Sequence, residues 1–192
     1  VGRQAAIQAG LPQTTPAWTL NQICGSGLKA VALASTMIAA GDAECVVAGG
    51  MENMSRSPHV ASFVREGRKM GPVELVDVMV NDGLTDVFSG KHMGLTAEAI
   101  AERFSLSREE QDAFAAESQA RVGRAWEAGA FEAEIVPVSV PQRRGDPVVV
   151  SRDEHPRPET TVATLARLRP AFKPDGTVTA GNASGINDGA AA

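Results

Sequence analysis

The segment from Ala17 to Ala48 constrains the fold more than any other stretch of this chain. Ala17-Trp-Thr-Leu-Asn-Gln-Ile23 is a short apolar run with β-formers, and Cys24-Gly-Ser-Gly27 breaks it. Apolar periodicity from about Leu28 to Ala40 predicts a helix with Leu28, Val31, Ser35 and Ile38 along one face, ended by Gly41. Cys45-Val-Val-Ala48 predicts a second short buried strand, closed by Gly49-Gly50. Strand, turn, helix and strand in that order make a right-handed βαβ unit, the mark of a parallel sheet with helices on its faces. Composition agrees, because 19 Gly, abundant Ala and no Tyr suit helices lying close on a sheet better than an all-β sandwich.

The rest of the chain is less regular. Residues 2–9 read as the end of a helix stopped by Gly10 and Pro12. From about Ser55 the texture changes to scattered Met70, Met79 and Met93, several Gly, and a basic stretch with Arg65, Arg68 and Lys69. Ser107-Arg-Glu-Glu110 is a capping box that predicts a helix to about Ala128, with Phe114, Val122 and Trp126 on its apolar side. Phe131 to Val140 and Pro147 to Val150 read as extended, joined through an Arg143-Arg-Gly-Asp146 turn. Ala180-Gly-Asn-Ala-Ser-Gly185 is a second small-residue turn, after which a sheet-and-helix texture resumes and Gly189-Ala-Ala-Ala192 reads as the first turns of a helix. The chain opens without Met, inside a helical pattern, so it is expected to be an internal piece with any targeting signal out of view.

Charge and cysteine count narrow the partners. A net charge of −5 favours neither nucleic acid nor an anionic membrane surface. No apolar run reads as long enough to cross a bilayer, and no membrane association is expected. Two cysteines, Cys24 and Cys45, make no disulfide framework, so a reducing compartment is expected: cytoplasmic, with an organellar destination left open.

Cys24 is the residue most suited to chemistry. It sits where a strand turns into a helix, with Gly25 beside it and Gly27 beyond. Helix-start amides and the positive end of the helix dipole stabilise a thiolate, and free N–H groups there can hold the oxyanion of a tetrahedral intermediate. The plainer alternative is an inert cysteine acting as a small hydrophobe, which is the reading preferred for Cys45 in its apolar strand. A rival is the dinucleotide fingerprint in Gly25-x-Gly27-x-x-Ala30, which wants an acidic residue about 20 residues on; Glu52 comes late, past a Gly-Gly pair. His59, His92 and His155 share no metal-ligand spacing, and no metal is expected. His92, set among Gly90, Met93 and Gly94, is the most interesting of the three. Asn182 and Ser184 fit either a site or an ordinary turn, and the methionines either a pliable pocket or a core.

Five blocks, taken in order, are more specific than their spacing. Asn21-Gln-Ile-Cys-Gly-Ser-Gly-Leu-Lys-Ala30 resembles the nucleophile motif of thiolases, with Cys24 at the acyl-accepting cysteine. Ala48-Gly-Gly-Met-Glu-Asn-Met-Ser55 resembles the segment that follows it, and His92-Met-Gly-Leu-Thr-Ala-Glu98 the pantetheine-side motif. Leu168-Arg-Pro-Ala-Phe172 and the Gly176–Gly189 stretch are similar to the end of the family's loop domain and the re-entry into its core.

The resemblance implies an α/β, thiolase-like layered αβαβα fold, present as part of the N-terminal half, with an inserted α+β loop domain. Residues 1–54 would belong to the core with the nucleophile, 55–178 to the inserted coenzyme A-binding loop domain, and 179–192 to the return into the core. It also implies ping-pong acyl transfer between CoA thioesters through a Cys24 acyl-enzyme. Leu84, His92, Met93, Phe172 and Ser184 would line the CoA and thioester pocket, Ala180 would contact pantetheine, and Arg157 would lie near the nucleotide end. The His92 block looks like the short-chain acetoacetyl-CoA type. Acyl-CoA, acetyl-CoA and CoA would be the small-molecule partners, with no resident cofactor, and a homodimer or homotetramer would be the assembly. The family's Asn, Gly-His-Pro and second-Cys motifs do not occur in this sequence, so these residues alone are expected to turn over nothing. The alternatives are a ketoacyl-synthase-like condensing enzyme, a nicotinamide-dependent oxidoreductase using the Gly25–Ala30 turn, and a non-catalytic acyl-CoA binding protein.

Overall fold

The computed structural model describes all 192 residues, which fall into two compact units: 1–79 with 187–192, and 80–186. These breaks differ from the divisions at 54/55 and 178/179 that the family resemblance implies.

In the first unit, α1 (Gly2–Gln8) is short, and the Arg3 guanidinium straps the loop after it by donating to the carbonyls of Thr15 and Gln13, both at 2.7 Å. Helix α2 (Ser26–Ala40) follows the Cys24 turn and ends at Gly41, whose φ of 80° is the left-handed value that glycine adopts without a Cβ penalty. The face expected to pack is the wrong one. Leu28, Val31 and Ile38 are exposed, whereas Ala34 is buried and Ala30, Leu33 and Met37 are half-buried. A helix apolar nearly all round offers two plausible stripes, and periodicity alone does not choose between them.

The parallel βαβ unit is also not formed. Neither 17–23 nor 45–48 joins a strand ladder; the strands present make three two-stranded antiparallel sheets. Strand β1 (Gly50–Asn53) pairs with β6 (Asp188–Ala191), Gly50 opposite Ala191 and Asn53 opposite Asp188. The terminal alanines, expected to be helical, are therefore strand. Alanine's helix preference is worth only tenths of a kcal/mol and yields to a ladder with a distant partner. The Asp188 carboxylate accepts the Ser55 amide at 2.9 Å, which holds its carboxyl below the usual range. Strands β2 (His59–Val60) and β3 (Val76–Asp77) close a small antiparallel pair in the same unit.

One further expectation needs correcting. The segment Ile23–Ala40, 18 residues with a mean hydropathy of 1.5, is long and apolar enough to cross a membrane. A core helix of a layered α/β fold passes the same test, and Lys29, Ser35 and Thr36 lie within it.

The second unit begins in a helical turn (Met79–Gly83), runs through a hairpin-like loop in which Thr85 bridges His92, and continues into α3 (Met93–Phe104) and α4 (Arg108–Glu127). The capping box at α4 forms as expected: the Glu110 amide donates to Ser107 Oγ at 3.1 Å and the Ser107 amide to Glu110 Oε2 at 2.8 Å. Its inward face carries Asp112, Ala116, Gln119, Gly123 and Trp126, so Phe114, expected there, instead points to solvent. Residues 131–134 are turn rather than strand, wound on the hydrogen bonds Glu132 N–H to Gly129 and Glu134 N–H to Phe131. The hairpin of β4 (Val138–Val140) and β5 (Val148–Val150) forms where expected, its turn passing through Gly145 at φ 83°. One turn of helix, α5 (Val162–Leu165), buries Leu165.

Candidate active site

Cys24 is exposed, one residue before the Gly25 that caps α2. The turn that presents it is tight. Ile23 is held at φ 49°, a left-handed conformation that a β-branched residue adopts only under strain. The surrounding side chains secure it: Ile23 N–H donates to Asn21 Oδ1 at 2.9 Å, Gln22 N–H to Ser26 Oγ at 2.8 Å, and Ser26 Oγ–H to the Ile23 carbonyl at 2.7 Å. Of the amides at this turn, Gly25 N–H donates to the Gln22 carbonyl and Ser26 N–H to the Ile23 carbonyl. The free donors at this helix start are those of the next residues, Gly27 and Leu28, in the first turn where no intrahelical acceptor exists. What the arrangement offers is an exposed thiol on a strained turn at the positive end of a 15-residue helix.

The other sequence-derived positions lie in the second unit. His92 caps α3: its Nδ1 accepts the Gly94 amide at 3.0 Å, which fixes the tautomer with the proton on Nε2 and leaves that N–H to donate elsewhere. Its ring stacks on Phe172 at a centroid distance of 4.9 Å and an interplanar angle of 26°. Met93 N–H donates to the Leu84 carbonyl at 2.8 Å. The structure thus brings Leu84, His92, Met93 and Phe172 together around the start of α3. The loop between Leu84 and His92 is pinned by Asp86, whose carboxyl is held low by the Ser89 hydroxyl and amide.

Ala180 and Ser184 are exposed on the 179–185 turn, without side-chain hydrogen bonds. Arg157 stands apart from the ring pair. Its amide donates to Gln119 Oε1 of α4 at 2.7 Å, and its guanidinium folds back on the carbonyls of Glu154, His155 and Pro156 at 2.6, 3.1 and 3.0 Å. Of the other histidines, His59 lies 3.9 Å from Asp77, and no group of three or more His, Cys, Asp or Glu side chains is placed to hold a metal ion.

Two buried carboxylates went unremarked in the sequence. Glu98, one turn beyond Gly94 on α3, is 2% exposed. It accepts the Thr177 amide at 3.0 Å, the Val178 amide at 2.8 Å and the Thr177 hydroxyl at 3.2 Å. Burial raises its carboxyl, but these donors, with Lys173 nearby, outweigh burial and hold it below the ordinary range. Asp112, 1% exposed, is paired with Arg108 at 2.8 Å and accepts Asn182 Nδ2–H at 2.9 Å. Asn182 also donates to the Thr177 carbonyl at 3.0 Å and accepts the Thr179 amide at 2.7 Å. A signal existed: Gly94, Glu98 and Ala101 follow a helical i, i+4, i+7 stripe, and a carboxylate on such a stripe needs buried donors.

Comparison with known proteins identifies the lineage. A family model described as the thiolase N-terminal domain matches residues 1–192. An acetyl-CoA acetyltransferase of Chromobacterium violaceum is 60% identical over 190 residues, 99% of this chain and 48% of its own length. A probable acetyl-CoA acyltransferase of Staphylococcus epidermidis matches at 60% over the same shares of the two chains. Human mitochondrial 3-ketoacyl-CoA thiolase superposes with a TM-score of 0.92 at 42% identity, over 98% of this chain and 48% of that one. The acetyl-CoA acetyltransferase from Syntrophomonas wolfei superposes with a TM-score of 0.93 at 40% identity, over 99% and 47%. The chain spans about half the length of the curated relatives it matches (48%). Neither the condensing-enzyme nor the oxidoreductase reading gains support: Glu52 lies in an antiparallel pair rather than at the end of a parallel strand, as dinucleotide binding needs, and the neighbours are thiolases. On its matched length, its identities and its thiolase-like α/β fold, this chain belongs to the thiolase family.

Proposed function

We propose that these residues supply the nucleophile and part of the coenzyme A site of an acyl-CoA acyltransferase that forms or cleaves acetoacetyl-CoA. The observation that carries the reading is the Cys24 elbow: an exposed thiol on a strained turn at a helix start, in a chain of this family. In the biosynthetic direction the Cys24 sulfur attacks the thioester carbonyl of acetyl-CoA, a new C–S bond forms, the bond to the CoA sulfur breaks, and CoA leaves as its thiol with the Cys24 proton. In the degradative direction the sulfur attacks the 3-keto carbon of acetoacetyl-CoA, the C2–C3 bond breaks, and acetyl-CoA leaves with that proton on its methyl carbon. In the second half-reaction the bond between Cys24 and the acetyl group breaks as that group passes to the sulfur of CoA in the degradative direction, or to the methyl carbon of a second acetyl-CoA in the biosynthetic one, and the proton lost by that sulfur or carbon returns to the Cys24 sulfur.

Leu84, His92, Met93 and Phe172 are assigned to the pantetheine and thioester end of the coenzyme, with Ala180 and Ser184 on the adjoining turn. Their grouping around the α3 start supports this. The Nε2–H of His92 is a donor suited to a carbonyl oxygen of the pantetheine arm. Arg157 is assigned to the nucleotide end, with its backbone anchored on Gln119. No resident cofactor is proposed. The protein is assigned to fatty acid and lipid metabolism as a homodimer or homotetramer. A cytoplasmic, reducing setting, in which Cys24 and Cys45 stay thiols, fits the chemistry.

The test is a trapping experiment on the protein as encoded. After incubation with acetoacetyl-CoA, acid quench and tryptic digestion, Cys24 and Cys45 fall in different peptides, Gln4–Lys29 and Ala30–Arg56. Acetyl on the Cys24 peptide alone is the expected result. An unmodified Cys24 in folded, CoA-binding protein would reduce the reading to a binding protein.

A further inference from the structure

Helix α3 holds two different grips on one piece of chain. At its start, Gly94 is buried directly beneath the Phe172 ring, and a Cβ built at this position would fall among the ring atoms. The ring therefore lies flat against the helix only because residue 94 has no side chain. One turn further on, the Glu98 carboxylate takes the amides of Thr177 and Val178. The held residues form a narrow hairpin: Pro170 bridges Thr179, and Ala171 N–H donates to the Val178 carbonyl at 2.9 Å. Val178 thus receives the carboxylate on its N–H and passes a hydrogen bond through its C=O to Ala171, the residue before Phe172. Two hydrogen bonds, from Val178 N–H to the Glu98 carboxylate and from Ala171 N–H to the Val178 carbonyl, link Glu98 to the residue before the ring that stacks on His92.

The geometry points to Glu98 as the positioning residue of the coenzyme pocket: through Val178 and Ala171 it sets where the Phe172 ring meets His92, with Gly94 as the seat on which that ring rests. This rests on the assignment of His92 and Phe172 to coenzyme binding. Glu98 touches no substrate in this account. A carboxylate is required because four hydrogen bonds from three donors converge on it. A glutamine there would turn an NH2 group toward at least one N–H, and the hairpin would shift away. Another buried acid is not an equivalent clamp: Asp112 ties the 177–182 turn to α4 through Asn182 and reaches no ring.

The experiment compares wild type, Glu98→Gln and Gly94→Ala in the protein as encoded. Two quantities are read: the dissociation constant for CoA by calorimetry, and the rate at which Cys24 is acetylated by a small acetyl thioester lacking pantetheine and nucleotide. Misplacing one recognition surface by a fraction of an ångström to an ångström predicts CoA binding weakened by about tenfold or more in Glu98→Gln, with acetylation by the small thioester within about twofold of wild type. Gly94→Ala displaces the ring from the other side without touching the Glu98 hydrogen bonds, and the same split is expected; it decides the matter if Glu98→Gln does not fold. Equal losses in both readouts, or CoA binding unchanged in folded variants, overturn the inference. Wild type that binds CoA without Cys24 acetylation would sink the acyl-transfer reading while leaving the positioning result standing. Wild type that binds no CoA removes both.

Discussion

Replacing Asn182 by alanine is the sharpest probe of how the 170–185 segment is held. Asn182 makes three hydrogen bonds, at 2.7, 2.9 and 3.0 Å, and its loss strands groups on both sides. The Thr179 amide belongs to a residue that is 0% exposed, and Asp112 is 1% exposed, so water does not readily take the lost partner's place. Asp112 keeps Arg108 and is not left as an unpaired charge. An unsatisfied buried donor or acceptor costs roughly 1–3 kcal/mol, and with two such groups partly relieved by relaxation the sum is about 3 kcal/mol. At about 1.4 kcal/mol per decade, that is on the order of a hundredfold in the opening equilibrium. Global melting blurs such an effect in a protein of more than one unit. Native-state amide hydrogen exchange reads it locally. In Asn182→Ala, exchange at Val178 and Thr179 is expected to accelerate by about two orders of magnitude, while the amides of the α2 interior stay at wild-type rates. Acceleration at 178–179 of less than about threefold, in a variant with wild-type circular dichroism, would refute the argument that this amide bears the segment.

Three further outcomes follow from the same reasoning. Because the Glu98 carboxyl is lower in the folded state than in the unfolded chain, its contribution is complete above the ordinary glutamate range and is lost as pH falls through the depressed folded value; the melting temperature of wild type should fall in that acid window more steeply than that of Glu98→Gln. Ile23→Gly removes a left-handed β-branched residue that is 60% exposed, relieving roughly 1 kcal/mol of strain. Thermal stability should hold or rise, while alkylation of Cys24 by iodoacetamide becomes slower or less selective over Cys45 as the turn loosens; unchanged selectivity would count against the strained turn as a device for presenting the thiol. Ser107→Ala removes the α4 cap and should cost about 1 kcal/mol, seen as faster exchange in the first turn of α4 with the rest of the helix protected.

The parts of the molecule that could be read in advance are those whose causes lie close in sequence. The α4 start needs only Ser107 and Glu110, and the α2 end needs only Gly41, so both were legible. The Cys24 turn was legible as a turn, although not the strain at Ile23, because no residue pattern announces a left-handed isoleucine. Sheet pairing was not legible. Strand β1 finds its partner at 188–191, across most of the chain, and alanines at 190–192 carry a local preference that points the other way. The same distance hid the clip, since Glu98 reads as one more charge on a helix until Thr177 and Val178 arrive beside it. The candidate coenzyme residues came from motif resemblance rather than from spacing, and the structure adds the contact that motifs do not encode, the stacking of His92 on Phe172.

The clip has a thermal consequence. Most of what fastens residues 170–182 is amide, carboxylate and carboxamide, while the apolar side chains buried beside them are few, Leu165 and Val178 above all. Exposing apolar surface raises heat capacity and exposing polar surface lowers it, so local release of this segment carries a small heat-capacity change even where unfolding of the whole protein carries a large one. Its free energy of opening then runs nearly straight with temperature instead of bending over. In the cold, where hydrophobic contacts weaken, the seat of the Phe172 ring keeps its hold.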